Sequence, residues 1–104
     1  GHYTIEGCVI SQFENHLRAV MGLPLGSVEL RAPAVVMVNL LGTKDGIMNS
    51  DNLAKALHYD RVHVHLYGKR QLRKGRKMGH ITVLGDTVAE VEETAKKAAS
   101  EFDI

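Results

Sequence analysis

Six of the nine residues from Lys69 to Lys77 are lysine or arginine, and they lead into the stretch Gly75-Arg76-Lys77-Met78-Gly79-His80. Arginine offers a planar fork of donors and lysine a compact point charge, and both suit phosphate and carboxylate oxygens. Glycine, lacking Cβ, lets a backbone turn sharply and lets a ligand approach it closely. The chemistry on offer is anion capture. The same composition also suits a solvated hairpin tip, and with Tyr67 as a stacking surface it suits nucleic acid. The patch is short, however, with one aromatic beside it. The whole chain sets 13 Lys plus Arg against 12 Asp plus Glu. No nucleic-acid partner and no membrane partner are therefore expected, and any basic function is local.

Other chemistry-bearing residues fit poorly into sites. His58, His63, His65 and His80 invite a metal reading, but no cysteine pair accompanies them and their spacing imposes no tetrahedral closure. They are expected to be polar strand-face histidines, with no metal held. Ser11 is better used as a helix cap, and Cys8 has no evident base partner, so neither reads as a nucleophile. Glu90, Glu92 and Glu93 belong to a solvent-facing helix side. No glycine-rich phosphate loop with its Lys and Ser or Thr occurs. By its own residues the chain lacks the machinery for ATP chemistry.

The basic run must be positioned by the elements around it. Arg61 to Tyr67 alternates Val62, Val64 and Leu66 with His63, His65 and Tyr67, the period of a strand with one dry face. Gly79 to Leu84 reads as a second strand, and the two strands around one turn predict an antiparallel hairpin with the basic run at its loop. Ala34 to Leu41 is apolar except for Asn39, which predicts a strand buried on both faces. Gly42 to Gly46 closes it as a turn.

Helices flank these strands. Ser11 followed three residues later by Glu14 is a capping box. Phe13, Leu17, Val20 and Met21 then recur at helical spacing up to Gly22. Pro24 sits in a connector that cannot continue the helix. Ser50 or Asp51 is expected to cap a short helix carrying Leu53, Ala54, Ala56 and Leu57. From Thr87 onward, Val88, Val91, Ala95, Ala98 and Phe102 form one stripe, with Glu92–Lys96 and Glu93–Lys97 as four-apart pairs. That predicts a docked C-terminal helix. Residues 3 to 9 show no clear period.

A chain of 104 residues can build one modest core without staples. The single cysteine excludes an internal disulfide and fits a reducing cytoplasm. No apolar run approaches the ~18 residues of a membrane span, and no signal-peptide pattern opens the chain.

Several runs of residues, taken in order, carry a resemblance. They are Thr4-Ile5-Glu6-Gly7-Cys8, Ser11-Gln12-Phe13-Glu14-Asn15-His16-Leu17-Arg18 and Gly22-Leu23-Pro24-Leu25-Gly26, then His63-Val64-His65-Leu66-Tyr67-Gly68-Lys69, Gly75-Arg76-Lys77-Met78-Gly79-His80 and Ile81-Thr82-Val83-Leu84-Gly85-Asp86. Together they resemble the C-terminal portion of the N5-carboxyaminoimidazole ribonucleotide synthases, ATP-grasp enzymes of purine biosynthesis. The resemblance implies an α+β fold: a small, mainly antiparallel sheet of the rudimentary hybrid-motif type, with a docked C-terminal helix and an N-terminal helix from the ATP-grasp domain. It places residues 1–24 at the end of that domain and residues 25–104 in the C-terminal domain, so that the chain begins in mid-enzyme.

The reaction implied uses ATP, Mg²⁺ and bicarbonate to carboxylate 5-aminoimidazole ribonucleotide, releasing ADP and phosphate. ATP and the metal would be held by upstream residues outside this chain, and the isolated chain would be inactive. By the match, Lys77 is the candidate catalytic residue. Arg76, Lys77, Lys69 and His2 are the candidate substrate-binding residues. Partners implied are the ribonucleotide, bicarbonate and the upstream domain, with a homodimer in the full enzyme. The apolar side of the helix from Phe13 to Met21 is expected to bury against the ATP-grasp domain. Formate-using enzymes of the same pathway have C-terminal domains built alike, but the residues around Lys77 resemble the carboxylating enzymes more closely.

Overall fold

The computed structural model describes all 104 residues, Gly1 to Ile104. Alternating apolar residues build the frame. Strands β1 (Ala34–Leu41), β3 (Val62–Leu66) and β5 (Lys77–Gly85) form an antiparallel sheet in the order β1-β5-β3. A separate two-residue ribbon pairs β2 (Gly46–Ile47) with β4 (Gln71–Leu72). Helix α4 (Val88–Ser100) lies on β1 and β5, and α3 (Leu53–Leu57) packs against β3 and α4.

Directly paired residues of an antiparallel sheet point to the same face, so the register divides the sheet into two unlike surfaces. One face carries the rungs Val36–Val83–Val62 and Val38–Ile81–Val64. It joins Val91, Ala95 and Ala98 of α4 and Phe102 in one hydrophobic core. The opposite face carries Met37–Thr82–His63 and Asn39–His80–His65. Helix α1 (Thr4–Gly7) packs over this second face at β5, and α2 (Gln12–Val20) packs on α1. Segment 27–31 returns antiparallel to residues 7–10, through Val9 N–H to the Glu29 carbonyl at 2.9 Å and Arg31 N–H to the Gly7 carbonyl at 2.7 Å.

The α+β architecture, the antiparallel β3–β5 pairing and the docked C-terminal helix agree with the sequence reading. The expected Ser11 cap forms, its hydroxyl accepting from Glu14 N–H at 3.1 Å; helix α4 is capped as well, by the Thr87 hydroxyl accepting from Glu90 N–H at 3.3 Å.

Four expectations are corrected. The strand buried on both faces is β5, not β1, because β5 takes the centre while β1 sits at an edge with Asn39 and Leu41 exposed. Residues 3 to 9 contain the helix α1, too short to register a period. Helix α3 starts at Leu53, after Asn52, without a side-chain cap, so neither Ser50 nor Asp51 fills that role; the Ser50 backbone carbonyl accepts from Leu53 N–H at 3.0 Å instead. Val88, at the head of the α4 stripe, is exposed, whereas the residues after it are buried.

Candidate anion-binding site

The basic run is shaped by backbone, and the shaping begins at β1. The Gly42 N–H donates to the Arg76 carbonyl at 2.8 Å, and the Gly75 N–H donates to the Gly42 carbonyl at 2.7 Å. A side chain at Gly42 would put its Cβ 2.2 Å from the Arg73 carbonyl oxygen, so only glycine allows the end of β1 to seat the loop this closely. Gly75 has φ +81°, the left-handed turn that returns the chain into β5. The β2–β4 ribbon braces the other side, with Met48 N–H donating to the Arg70 carbonyl at 2.7 Å. A groove open to solvent runs along this ribbon, lined by Asp45, Gly46, Ile47, Gln71, Leu72 and Arg73. The run is thus a braced rim and not the plain hairpin tip that the sequence suggested.

None of the six cations from Lys69 to Lys77 pairs with a carboxylate, whereas five of the seven elsewhere do: Arg18, Lys44, Arg61, Lys96 and Lys97, but not Arg31 or Lys55. Lys77 opens β5, opposite Leu41, with its side chain exposed. The Lys69 ammonium donates to the Lys77 carbonyl at 2.8 Å. Arg76 is directed back across its own loop, its guanidinium donating to the Gln71 carbonyl at 3.3 Å. The Lys69 ammonium is therefore held at the Lys77 backbone, and Arg76 is adjacent but turned aside.

His2 comes from the other end of the chain and reaches the same neighbourhood. Its ring lies 4.9 Å from that of His80, 6.4 Å from that of Tyr67 and 5.6 Å from that of Phe13. His80 is 1% exposed, and its Nδ1 shares a hydrogen bond with the Tyr67 hydroxyl at 2.8 Å. The His65 ring stacks on it at 4.3 Å with 12° between planes, and His65 Nε2 meets Glu6 Oε1 of α1. Burial lowers the His80 pKa from its ordinary value, with the neighbouring His65 and then His2 acting the same way; Glu6 opposes them. His80 is thus held neutral.

This cluster is the part the sequence reading missed. The histidines were expected on an open polar face, yet α1 covers that face and buries His80. The one available signal was register: two strands of a hairpin set His65 directly opposite His80. Glu6 left no signal at all. The stacked rings present nearly parallel planes, and no group of three His, Cys, Asp or Glu side chains converges to hold a metal. No helix is long and apolar enough to cross a membrane.

Comparison with known proteins places this geometry. The family model described as phosphoribosylaminoimidazole carboxylase C-terminal domain matches residues 35–94, which takes in nearly the whole sheet and the first half of α4. The chain belongs to this family. Among individual proteins, it is 48% identical over 85 residues to an N5-carboxyaminoimidazole ribonucleotide synthase of Bacillus subtilis, covering 81% of this chain and 21% of that protein. A solved N5-carboxyaminoimidazole ribonucleotide synthetase from Thermotoga maritima superposes with a TM-score of 0.84 at 47% identity, over 99% of this chain and 29% of that one. A synthase from Aspergillus clavatus, solved in complex with ADP and 5-aminoimidazole ribonucleotide, has a TM-score of 0.78 at 41% identity, over 96% of this chain and 27% of its own. The chain therefore spans between about a fifth and less than a third of these relatives, and the likeness to the family extends beyond the matched domain to α1 and α2.

Proposed function

We propose that this chain is the C-terminal part of an ATP-dependent ligase that carboxylates 5-aminoimidazole ribonucleotide with bicarbonate, giving ADP and phosphate. The observation that carries the reading is the braced rim of six cations with no carboxylate partners in a member of this family. Uncompensated, preorganised cations are what a phosphate-bearing substrate and a developing carboxylate require. In this reading Lys77 is the catalytic residue, supplying positive charge to the carboxylate as it forms, and Arg76, Lys77, Lys69 and His2 bind the ribonucleotide. The Arg76 guanidinium would give up its bond to the Gln71 carbonyl to reach the substrate.

ATP and Mg²⁺ are the cofactors of this reading, both held by residues outside the chain; the histidines here do not converge on a metal. The Aspergillus clavatus relative, whose complex holds ADP and 5-aminoimidazole ribonucleotide, supports both ligands. Residues 1–24 would end an ATP-grasp domain and residues 25–104 form the domain that follows it. The exposed apolar side of α2, with Phe13, Leu17 and Val20 uncovered, supports this division. The full enzyme would be a cytoplasmic homodimer.

The test is ATP turnover by the natural-length protein, with and without the ribonucleotide and bicarbonate. Turnover that requires all three is expected. Lys77→Ala should cut kcat/KM for the ribonucleotide by roughly a hundredfold or more, the scale of one lost electrostatic donor. Turnover that demands formate and another ribonucleotide would move the substrate within the family. Unchanged kcat and ribonucleotide KM in Lys77→Ala would remove Lys77 from the site.

A further inference from the structure

A rim of like charges must be held in place by something, and the usual anchor for a lysine, a carboxylate, would cancel the charge the rim is built to present. Lys69 shows another arrangement. Its ammonium sits 5.7 Å from the centre of the Tyr67 ring and donates to the Lys77 carbonyl at 2.8 Å. An aromatic face and a carbonyl both attract an ammonium while leaving its unit charge uncompensated. Lys69 is thereby fixed beside Lys77 against the repulsion of Arg70, Arg73, Lys74 and Arg76 and stays available to an anion.

The Tyr67 ring is itself fixed from below. Tyr67 follows β3, where its N–H makes a last bond to the Met78 carbonyl at 3.0 Å before Gly68 turns the chain outward. Its hydroxyl is tied to Nδ1 of His80, which lies in the central strand at 1% exposure with the His65 ring stacked on one side and the His2 ring 4.9 Å away. His80 cannot move without disturbing the sheet. A rigid buried imidazole therefore sets the aromatic plane, and the plane sets the ammonium.

We propose that Tyr67 is a positioning residue for the anion site: tied to the buried His80, it holds the Lys69 ammonium beside Lys77 without neutralising it, for the phosphate of the ribonucleotide. The substrate in this statement rests on the function proposed above; the placement of Lys69 by Tyr67 does not. The substitutions that separate its parts are Tyr67→Phe, which keeps the ring and loses the tie to His80, and Tyr67→Leu, which loses both.

Two measurements on the natural-length protein test it. In competitive acetylation read by mass spectrometry, wild-type Lys69 should react several-fold more slowly than Lys74, because only the deprotonated amine reacts and the ring and the carbonyl shield the Lys69 nitrogen from the reagent. In Tyr67→Leu the difference should vanish. Equal reactivity of the two lysines in the wild type, or no change in Tyr67→Leu, would overturn the placement whatever the substrate is. In steady-state kinetics, Tyr67→Phe should raise the ribonucleotide KM roughly threefold to tenfold, the effect of one lost hydrogen bond, with the ATP KM unchanged. In a Lys69→Met background the same substitution should add nothing. Effects of Tyr67→Phe and Lys69→Met that multiply independently would overturn the positioning role, as would ribonucleotide and ATP KM values raised alike. A protein that ignores the ribonucleotide but shows the acetylation pattern would leave Tyr67 holding Lys69 and remove the proposed substrate.

Discussion

The two faces of the sheet are built from the same three strands and differ in almost everything else. The face under α4 is a ladder of valine and isoleucine closed by Val91, Ala95 and Ala98, three residues at no more than 2% exposure. The face under α1 carries Met37 and a polar ladder of Thr82, His63, Asn39, His80 and His65, and with Glu6 of α1 it holds three buried polar atoms with no partner in the protein: Glu6 Oε2, His80 Nε2 and Thr82 Oγ1. The helix beyond α1 is bare, with Leu17 57% and Val20 71% exposed. One face holds the fold together, and the other tolerates unsatisfied groups next to the candidate site. Such departures from a well-satisfied interior concentrate where function sits.

The sharpest way to break this contrast uses two neighbours in β5. Ile81 faces the aliphatic ladder and Thr82 the polar one, and both are fully buried. Ile81→Ala is expected to cost about 2–5 kcal/mol, from lost transfer energy and the cavity left behind. Thr82→Val removes a buried hydroxyl that has no partner in the protein, at nearly the same volume. It is expected to be neutral or to stabilise by up to ~1 kcal/mol. Denaturant unfolding of both variants decides it. Equal losses would mean that the two faces contribute alike and that the contrast is one of composition only.

A smaller effect sharpens the comparison between the helices. The hydroxyls of Thr87 and Ser11 make the same bond to the N–H three residues on. Thr87→Ala should lower global stability by about 1 kcal/mol, since α4 is part of the core. Ser11→Ala removes an equivalent bond from a helix with no buried residue. It should raise amide exchange within α2 while leaving the global unfolding transition in place. A global loss equal to that of Thr87→Ala would show that α2 belongs to the same cooperative unit as the sheet.

The elements governed by local rules were readable from the sequence: helix α2 with its Ser11 cap, helix α4, the β3–β5 pairing and the basic run between those strands. What escaped depended on which element covers which. Periodicity marks the apolar stripe of Phe13, Leu17 and Val20 as clearly as that of Val91, Ala95 and Ala98; that the first stays uncovered within this chain was implied by the resemblance alone. The apolar wording of β1 suggested a central strand, whereas the polar residues His80 and Thr82 disguised β5, which is the central one. Lys69 and Lys77 were readable as cations; that Tyr67 and His80 lie beneath them follows only from register and from the burial that α1 provides.

The weakest of the expected effects bears directly on His80, because the Glu6 carboxylate opposes the other influences on it. Burial, then His65 and His2, depress its pKa in the folded protein, so the folded state refuses a proton that the unfolded chain accepts near the ordinary value of 6.5. Where the unfolded state binds more protons, stability rises with pH. The contribution is therefore fully present above the unfolded value and is lost as pH falls below it, down to the depressed folded value. Unfolding followed from about pH 8 to about pH 5.5 should show this acid loss in the wild type. His80→Gln should flatten it, while His63→Gln, an exposed position on the same face, should leave it as it was. An acid loss that survives His80→Gln would mean that the polar face is not the acid-sensitive side of the sheet, and the sensitivity would then have to be sought outside the ladder that His80 shares with His65.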